Sequence, residues 1–425
     1  MKILFIGARL FDDVAFYLEE KGIESIVTES NPNSPNLELA DKSYIVPRGM
    51  QKPIEIAIKE KVDGVISLIG IDDPLMDVAI AKEKLEAEHG IPLIASNTQA
   101  IAISCDKLRT KEFFKEIGVE TSKFMIANSS KDIIDSNLFS SNPVDCNLLD
   151  SNLVDSNLVD HDSVDHDSVD HDSVDYDSVD SNLVDSDSVF VLKQRAGQGG
   201  RDISIVTNLE EMDEYFFNFD SAICEEFIEG SEISIEVLCF NNEYLPLVPV
   251  YKGETTLEGT HPLNKTRSSP CEINGLNIEN VRKVAYKIAK ALKGEGTIDI
   301  DFIFSKKDKK LYALEINTRP SGTRYLTAAA SGIHPLTKLV DMVTGEFNVN
   351  SVENKMNSYF ALELPIGNYK GPNNSEPLKK FTKNSWVCHG PLNYERITIS
   401  GETKEKIEEI SNEILGNDFN KNRQG

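Results

Sequence analysis

Residues 297–319, "TIDIDFIFSKKDKKLYALEINTR", constrain the fold more than any other stretch of this 425-residue chain. Side chains alternate along a strand, so Ile298, Ile300, Phe302 and Phe304 share one face and Asp299 and Asp301 the other. The segment "KKDKK" suits a hairpin loop. Beyond it, Tyr312, Leu314 and Ile316 share a face, and Glu315 and Asn317 share its opposite. Making the apolar faces coincide allows only registers that differ by steps of two. The tightest pairs Ser305 with Leu311, Phe304 with Tyr312 and Phe302 with Leu314, and sets Asp301 opposite Glu315 and Asp299 opposite Asn317. Opposed like charges repel. A cation between them turns repulsion into binding, and Mg²⁺ suits because it takes one or two carboxylates plus substrate phosphates. The competing reading is a solvated acidic face. It explains poorly why Asn317 and Arg319 continue that face, since Asp and Asn are depleted in strands.

A chain of this length exceeds one ordinary core, so two or three domains are expected. Hydrophobic content of 40% and charged content of 27% fit a soluble globular protein. No stretch reaches the length of a membrane span, and Asp12 and Asp13 interrupt any signal-peptide pattern. The cysteines, at 105, 146, 224, 239, 271 and 388, show no paired spacing. That points to reduced thiols in a cytoplasm, without a zinc or disulfide framework. A formal net charge of −26 disfavours nucleic acid as a partner. Residues 132–190 hold sixteen Asp and no Lys or Arg, so the remainder carries −10. The acidity belongs mostly to that segment.

The first hundred residues alternate strand and helix patterns: "KILFIG", a helix from Asp12 to Lys21 stopped by Gly22, "SIVTES", "SYIVP", "GVISLIG" and "PLIAS", with helices near 51–60 and 73–88. This is a doubly wound α/β pattern. Glu29 ends the second strand where a ribose-binding acid would stand, but the first turn, "GARLFDD", lacks G-x-G-x-x-G, which speaks against a dehydrogenase. A helix follows from Cys105 or Asp106 to Gly118 with Lys107 in its first turn. Taken alone, Lys107 reads as a surface lysine. Residues 136–190 form eleven pentads such as SNLVD and HDSVD. A pentapeptide β-helix would want an apolar centre in every unit, and HDSVD has Ser there. The three His could bind divalent metal weakly. The composition favours a solvated, disordered insertion.

After the insertion, "VFVLKQRAGQGGRDISIV" gives a strand ending at Lys193, a turn with Gly197, Gly199 and Gly200, and a second strand. Such glycines let backbone N–H groups approach phosphate. The flanks are strand–turn–strand, so this is not a P-loop. "AICEEFIEGSEISIEVLCF" adds a strand, a hinge around 227–230, and a strand from Glu232.

The ordered set resembles the ATP-grasp superfamily, most closely the carbamoyl-phosphate-synthase-type branch of carboxylate–amine ligases, over nearly 1–345. The resemblance implies an α/β (α+β ATP-grasp) fold: a doubly wound pre-ATP-grasp domain at 1–97, an ATP-grasp domain at 98–345 with the Asp-rich insertion at 136–188, and a C-terminal region, 346–425, without an assignable motif. It implies that Lys107 and Lys193 hold ATP phosphates, with Lys193 and Arg319 catalytic and the 197–200 loop closing as a lid. Main-chain groups of Glu225, Glu226, Phe227 and Ile228 would read adenine, and Glu232 would meet the ribose. Asp301, Glu315 and Asn317 would bind two Mg²⁺ ions, with Mn²⁺ as a substitute. Arg319 would stabilise charge on the transferred phosphoryl group. Arg324, Lys265 and Arg267 are candidates for the substrate carboxylate, the last two being equally readable as an exposed basic loop. His334 is read as capping or packing a helix.

The implied activity is ATP-driven phosphorylation of a carboxylate followed by attack of an amine, with small-molecule substrates and room for a homodimer. A carbamoyl-phosphate-synthase-like kinase acting on bicarbonate or carbamate is the alternative, because a full large subunit holds two copies of this unit and this chain one. A biotin carboxylase reading is weakened because "EINTRPSG" lacks the acid–histidine pair of that family. A non-catalytic nucleotide-binding protein is a third reading. Intact Lys193, Glu315, Asn317 and Arg319 argue against it.

Overall fold

The structure, a computed structural model, describes residues 1–136, 189–197, 200–257, 265–367, 381–390 and 393–415. The pentads of 137–188 and Gly199 lie outside the described residues.

Five parallel strands open the chain: β1 (Lys2–Ile6), β2 (Glu24–Glu29), β3 (Lys42–Ile45), β4 (Gly64–Ser67) and β5 (Leu93–Ile94), in the order β3-β2-β1-β4-β5. The runs "LFI" and "GVIS" are buried throughout, as parallel strands covered on both faces must be. Helices α1 (Ala15–Lys21), α2 (Gln51–Glu60) and α3 (Leu75–His89) cover them. The helix expected from Asp12 begins later, because Phe11–Asp13 form a 3₁₀ turn and buried Asp13 turns inward to accept from Arg324 and Tyr325. Strand order reverses between β1 and β4. The turns after those strands, 7–13 and 68–73, therefore flank the crevice where ligands of such sheets bind.

Next come α4 (Thr98–Ser104), α5 (Lys107–Glu116), β6 (Phe124–Ala127), α6 (Ser130–Ile134), β7 (Phe190–Lys193), β8 (Ile203–Val206), α7 (Leu209–Asn218) and β9 (Ala222–Glu226). The four strands form an antiparallel sheet, β6-β9-β7-β8, and the β7–β8 hairpin carries the glycine loop.

The large sheet contains β10 (Gly230–Phe240), β11 (Glu243–Pro246), β12 (Val250–Glu254), β13 (Arg267–Ser269), β14 (Gly296–Ser305), β15 (Leu311–Asn317), β16 (Phe360–Gly367), β17 (Ser385–His389) and β18 (Glu395–Gly401). Its order is β15-β14-β10-β12-β13-β16-β18-β17, with β11 on β10. The C-terminal strands thus continue this sheet through β13–β16 pairing. The helices of this part are α8 (Ile278–Leu292), α9 (Arg324–Ser331), α10 (Pro335–Thr344), α11 (Val349–Glu353) and α12 (Lys404–Leu415). Ile233, Ile235, Ile298, Ile300 and Phe302 pack with Val281, Ala285 and Ile288 of α8. The alternating residues Ser234, Glu236, Asp299 and Asp301 therefore occupy the other face.

Asp301 pairs with Glu315 and Asp299 with Asn317, as the hairpin pattern requires. Nearer the turn, the expected pairing is corrected. Phe302 faces Ala313, Ile303 faces Tyr312 and Phe304 faces Leu311, because a bulge follows Asp301. The extra residue lets Ala313 and Ile316, three apart, both enter the core in place of Tyr312 and Leu314. The solvated-face alternative fails, since β14 is buried along its whole length.

Gly230 starts the β10–β14 ladder, and a Cβ there would lie 2.3 Å from the Phe304 carbonyl oxygen. Backbone must move to admit it. Gly230→Ala should cost roughly 1–3 kcal/mol of stability, read as a lower denaturant midpoint; an unchanged midpoint would contradict this strand packing.

Candidate active site

The carboxylate pair lies on the polar face of the large sheet. Asp299 and Asp301 are buried. Asp299 accepts from Ser234 Oγ and, at 2.9 Å, from Ser321 Oγ. Asp301 Oδ1 sits 2.7 Å from Lys252 Nζ. Burial pushes Asp301 upward, and neighbouring Asp299 and Glu315 add to this against the pull of Lys252. Burial presses Glu315 the same way, but Lys252, Asp301 and Asn317 together hold it below its usual range. Asn317 Nδ2 donates to Glu315 at 3.3 Å, and Arg319 donates to Asn317 Oδ1 at 3.1 Å. Arg319 Nε also reaches Asp72 at 2.5 Å, across to the turn after β4.

The phosphate-clamp candidates converge from the smaller sheet. Lys193 ends β7 and is ion-paired to Glu225, whose other oxygen lies 2.9 Å from Lys111 Nζ. Lys111, on the inner side of α5, is fully buried and also donates to Thr121 and Ser122, each at 2.9 Å. Burial drives Lys111 down to about 8 even with Glu225 beside it. Burial opposes ionisation of Glu225 too, yet Lys111 and Lys193 bring it down to about 2. One carboxylate has two ammonium partners, whereas each ammonium has half a carboxylate. The Glu225 side chain thereby positions Lys193, separately from the main-chain role expected of this residue.

Asp106 caps α5 by accepting from Leu108 and Arg109 amides at 3.0 and 3.2 Å. It also takes Arg195 Nη2 at 2.6 Å, while Lys107 Nζ donates to the Gly197 carbonyl at 2.5 Å. The glycine loop, with Gly197 and Gly200 both at positive φ, is thereby docked on the start of α5. Lys107 and Lys193 both act electrostatically on Glu315. In the hinge, Glu226 N and Phe227 N donate to the Lys123 and Val189 carbonyls. Among the described residues, the Ile228 amide has no acceptor.

The remaining candidates meet protein carboxylates. Lys265 lies 2.7 Å from Glu232, joining the carboxylate-binding and ribose-binding candidates to each other. Arg267 is buried and 3.1 Å from Glu363, so it is no exposed loop residue. Glu363 also accepts from Arg396 Nε at 2.5 Å. Arg324 Nε donates to Asp13 at 2.5 Å. His334 precedes α10 without a side-chain cap and packs edge-on to Tyr325. The sequence reading missed Lys111, Lys252, Ser321 and Asp72. Lys111 stands one helical turn after Lys107, and Lys252 interrupts the strand "VYKGE"; those positions are the signal that could have found them.

The ATP-grasp domain family matches residues 177–323. A protein of Methanobrevibacter smithii named carbamoyl-phosphate synthase is 48% identical over 415 residues, covering 98% of this chain and 100% of that one. The carbamoyl phosphate synthase large chain of Pseudothermotoga lettingae is 24% identical over 338 residues, 76% of this chain and 25% of that one. This chain therefore spans about a quarter of that large chain. Among solved structures, the biotin carboxylase domain dimer of Hydrogenobacter thermophilus 2-oxoglutarate carboxylase, in complex with MgADP, ADP and bicarbonate, superposes with a TM-score of 0.66 at 17% identity, covering 94% of this chain and 86% of that one.

Lys111 gives a signed test. Its pKa falls on folding from 10.5 to about 8, so between those values the unfolded chain binds more protons and stability rises with pH. Below that window the full penalty for burying the ammonium applies. In urea melts, wild type should gain stability relative to Lys111→Met as pH rises from 8 to 10.5. A pH-independent difference would refute the buried ammonium.

Proposed function

The chain belongs to the carbamoyl-phosphate-synthase branch of the ATP-grasp family, and from that premise we propose that it uses ATP to phosphorylate a small organic carboxylate and passes the acyl group to an amine. It is an ATP-grasp carbon–nitrogen ligase of the kind that forms ADP and phosphate. The observation that carries the reading is the buried Asp301–Glu315 pair, with Asn317 and Arg319 beside it and Lys107 and Lys193 acting on it.

The donors suit Mg²⁺. Mg²⁺ takes one or two carboxylates and completes its shell with phosphate oxygens. Glu315, Asp301 and Asn317 would hold it, as one ion or two. When bound, it neutralises charge on the phosphates. Lys107 and Lys193 would fix the phosphates, and Arg319 would face the γ-phosphoryl group. A substrate carboxylate oxygen bonds to the γ-phosphorus as the bond to ADP breaks. The amine then adds to the acyl carbon, phosphate leaves, and the nitrogen loses a proton. The glycine loop would keep water off the acyl phosphate. No described helix is long and apolar enough to cross a membrane.

The second reading is phosphorylation of bicarbonate or carbamate. It is favoured by the printed name of the full-length relative. ADP release against a panel of carboxylates and amines, with hydroxylamine trapping, separates the two. We expect an organic carboxylate to stimulate ADP release and yield a hydroxamate, and Lys193→Ala to raise the KM for ATP at least about tenfold by removing a charged hydrogen bond. ADP release that requires bicarbonate and ammonium alone would transfer the assignment to the second reading.

A further inference from the structure

Arg9 lies in the turn after β1, at the point where the strand order of the first sheet reverses. Its backbone is tied down: the Arg9 carbonyl accepts from Asn36 Nδ2 at 3.0 Å, and the preceding Ala8 amide donates to Glu29 at 2.9 Å. Its guanidinium is exposed and makes no hydrogen bond or ion pair with any described residue. The neighbouring acids are engaged elsewhere. Asp13 receives Arg324 and Tyr325, Asp72 receives Arg319, and Glu29 receives three backbone amides. Across the crevice the guanidinium lies against Gly70, where a Cβ would stand 2.8 Å from its Nη2.

We propose that the crevice between turns 7–13 and 68–73 binds the carboxylate substrate, with Arg9 as the cation that recognises it. Three separate facts meet here. The crevice is where open α/β sheets bind ligands. A planar guanidinium fork matches a carboxylate bidentately. Desolvation and the charges of Arg324 and Arg319 depress the Arg9 pKa, so this cation stands among other cations beside the candidate phosphoryl-transfer arginine. Asp13 and Glu29 pull the other way without closing on it. Gly70 leaves the space that the guanidinium uses. The proposal rests on the carboxylate-ligase reading.

The test uses the full chain with MgADP and phenylglyoxal, which labels guanidinium groups, with site-resolved mass spectrometry. Succinate or L-glutamate should slow labelling of Arg9 several-fold more than that of exposed Arg48, and methylammonium chloride should not. In ADP-release assays, Arg9→Met should raise the carboxylate KM about 10- to 100-fold, the value of a charge-assisted hydrogen bond. The KM for ATP should stay nearly unchanged, and Arg9→Lys should recover part of the loss. Gly70→Ala should imitate Arg9→Met, because its Cβ displaces the tip of a flexible side chain rather than backbone. Labelling of Arg9 indifferent to both carboxylates, or an unchanged carboxylate KM in Arg9→Met, would overturn the proposal. If no carboxylate stimulates ADP release, the ligase reading falls, and the labelling alone decides the site.

Discussion

Two carboxylates opposed on a buried sheet face are the constraint around which the rest is arranged. Burying one charge is costly unless it is paired, and burying two of the same sign is worse. Asp301 and Glu315 face each other at fixed register, and the surrounding groups read as responses to that cost. Lys252 meets Asp301, Asn317 donates to Glu315, and Arg319 donates to Asn317. On the proposed reading, such a pair would take up an added cation together with nucleotide, as a phosphoryl-transfer site requires.

The same logic governs the lysine clamp. Glu225 is held between Lys111 and Lys193, so Lys193 is oriented by a carboxylate that it shares. Lys107 and Arg195 hold the glycine loop against the start of α5. Arginine–aspartate pairs then join the first sheet to the site, Arg319 with Asp72 and Arg324 with Asp13. Lys82 and Glu295 add a third bridge at 2.8 Å. The first sheet and the large sheet are thus tied together by ion pairs, two of which involve the candidate residues Arg319 and Arg324.

Much of this was legible before any coordinates. Alternation together with the tightest hairpin placed Asp301 opposite Glu315, because alternation admits only registers that differ by steps of two. The bulge was not legible, because nothing in "LYALE" marks an extra residue until Ala313 and Ile316 are seen to pack against α8. Lys111 and Lys252 escaped because a lysine is read as exposed unless its partner is known, and Glu225 and Asp301 are 114 and 49 residues away in the chain. The C-terminal strands escaped for a similar reason. Their role depends on β13–β16 pairing, which joins segments nearly a hundred residues apart and leaves no local trace. Arg9 was invisible as a site because its meaning comes from strand order rather than from its neighbours in sequence.

The central claim, that the opposed carboxylates are an energetic debt settled by a divalent ion with nucleotide, is tested most directly by thermal unfolding of Glu315→Gln. Gln keeps the shape of the Glu315 side chain but removes a carboxylate that Lys252, Asp301 and Asn317 hold ionised, and it leaves the Lys252–Asp301 pair in place. Without ligand, the variant should still unfold cooperatively, at or somewhat below the wild-type temperature. A ligand that binds only the native state raises the melting temperature, so MgADP should stabilise wild type and give the variant little or no shift. A variant that keeps the full MgADP shift would contradict the account.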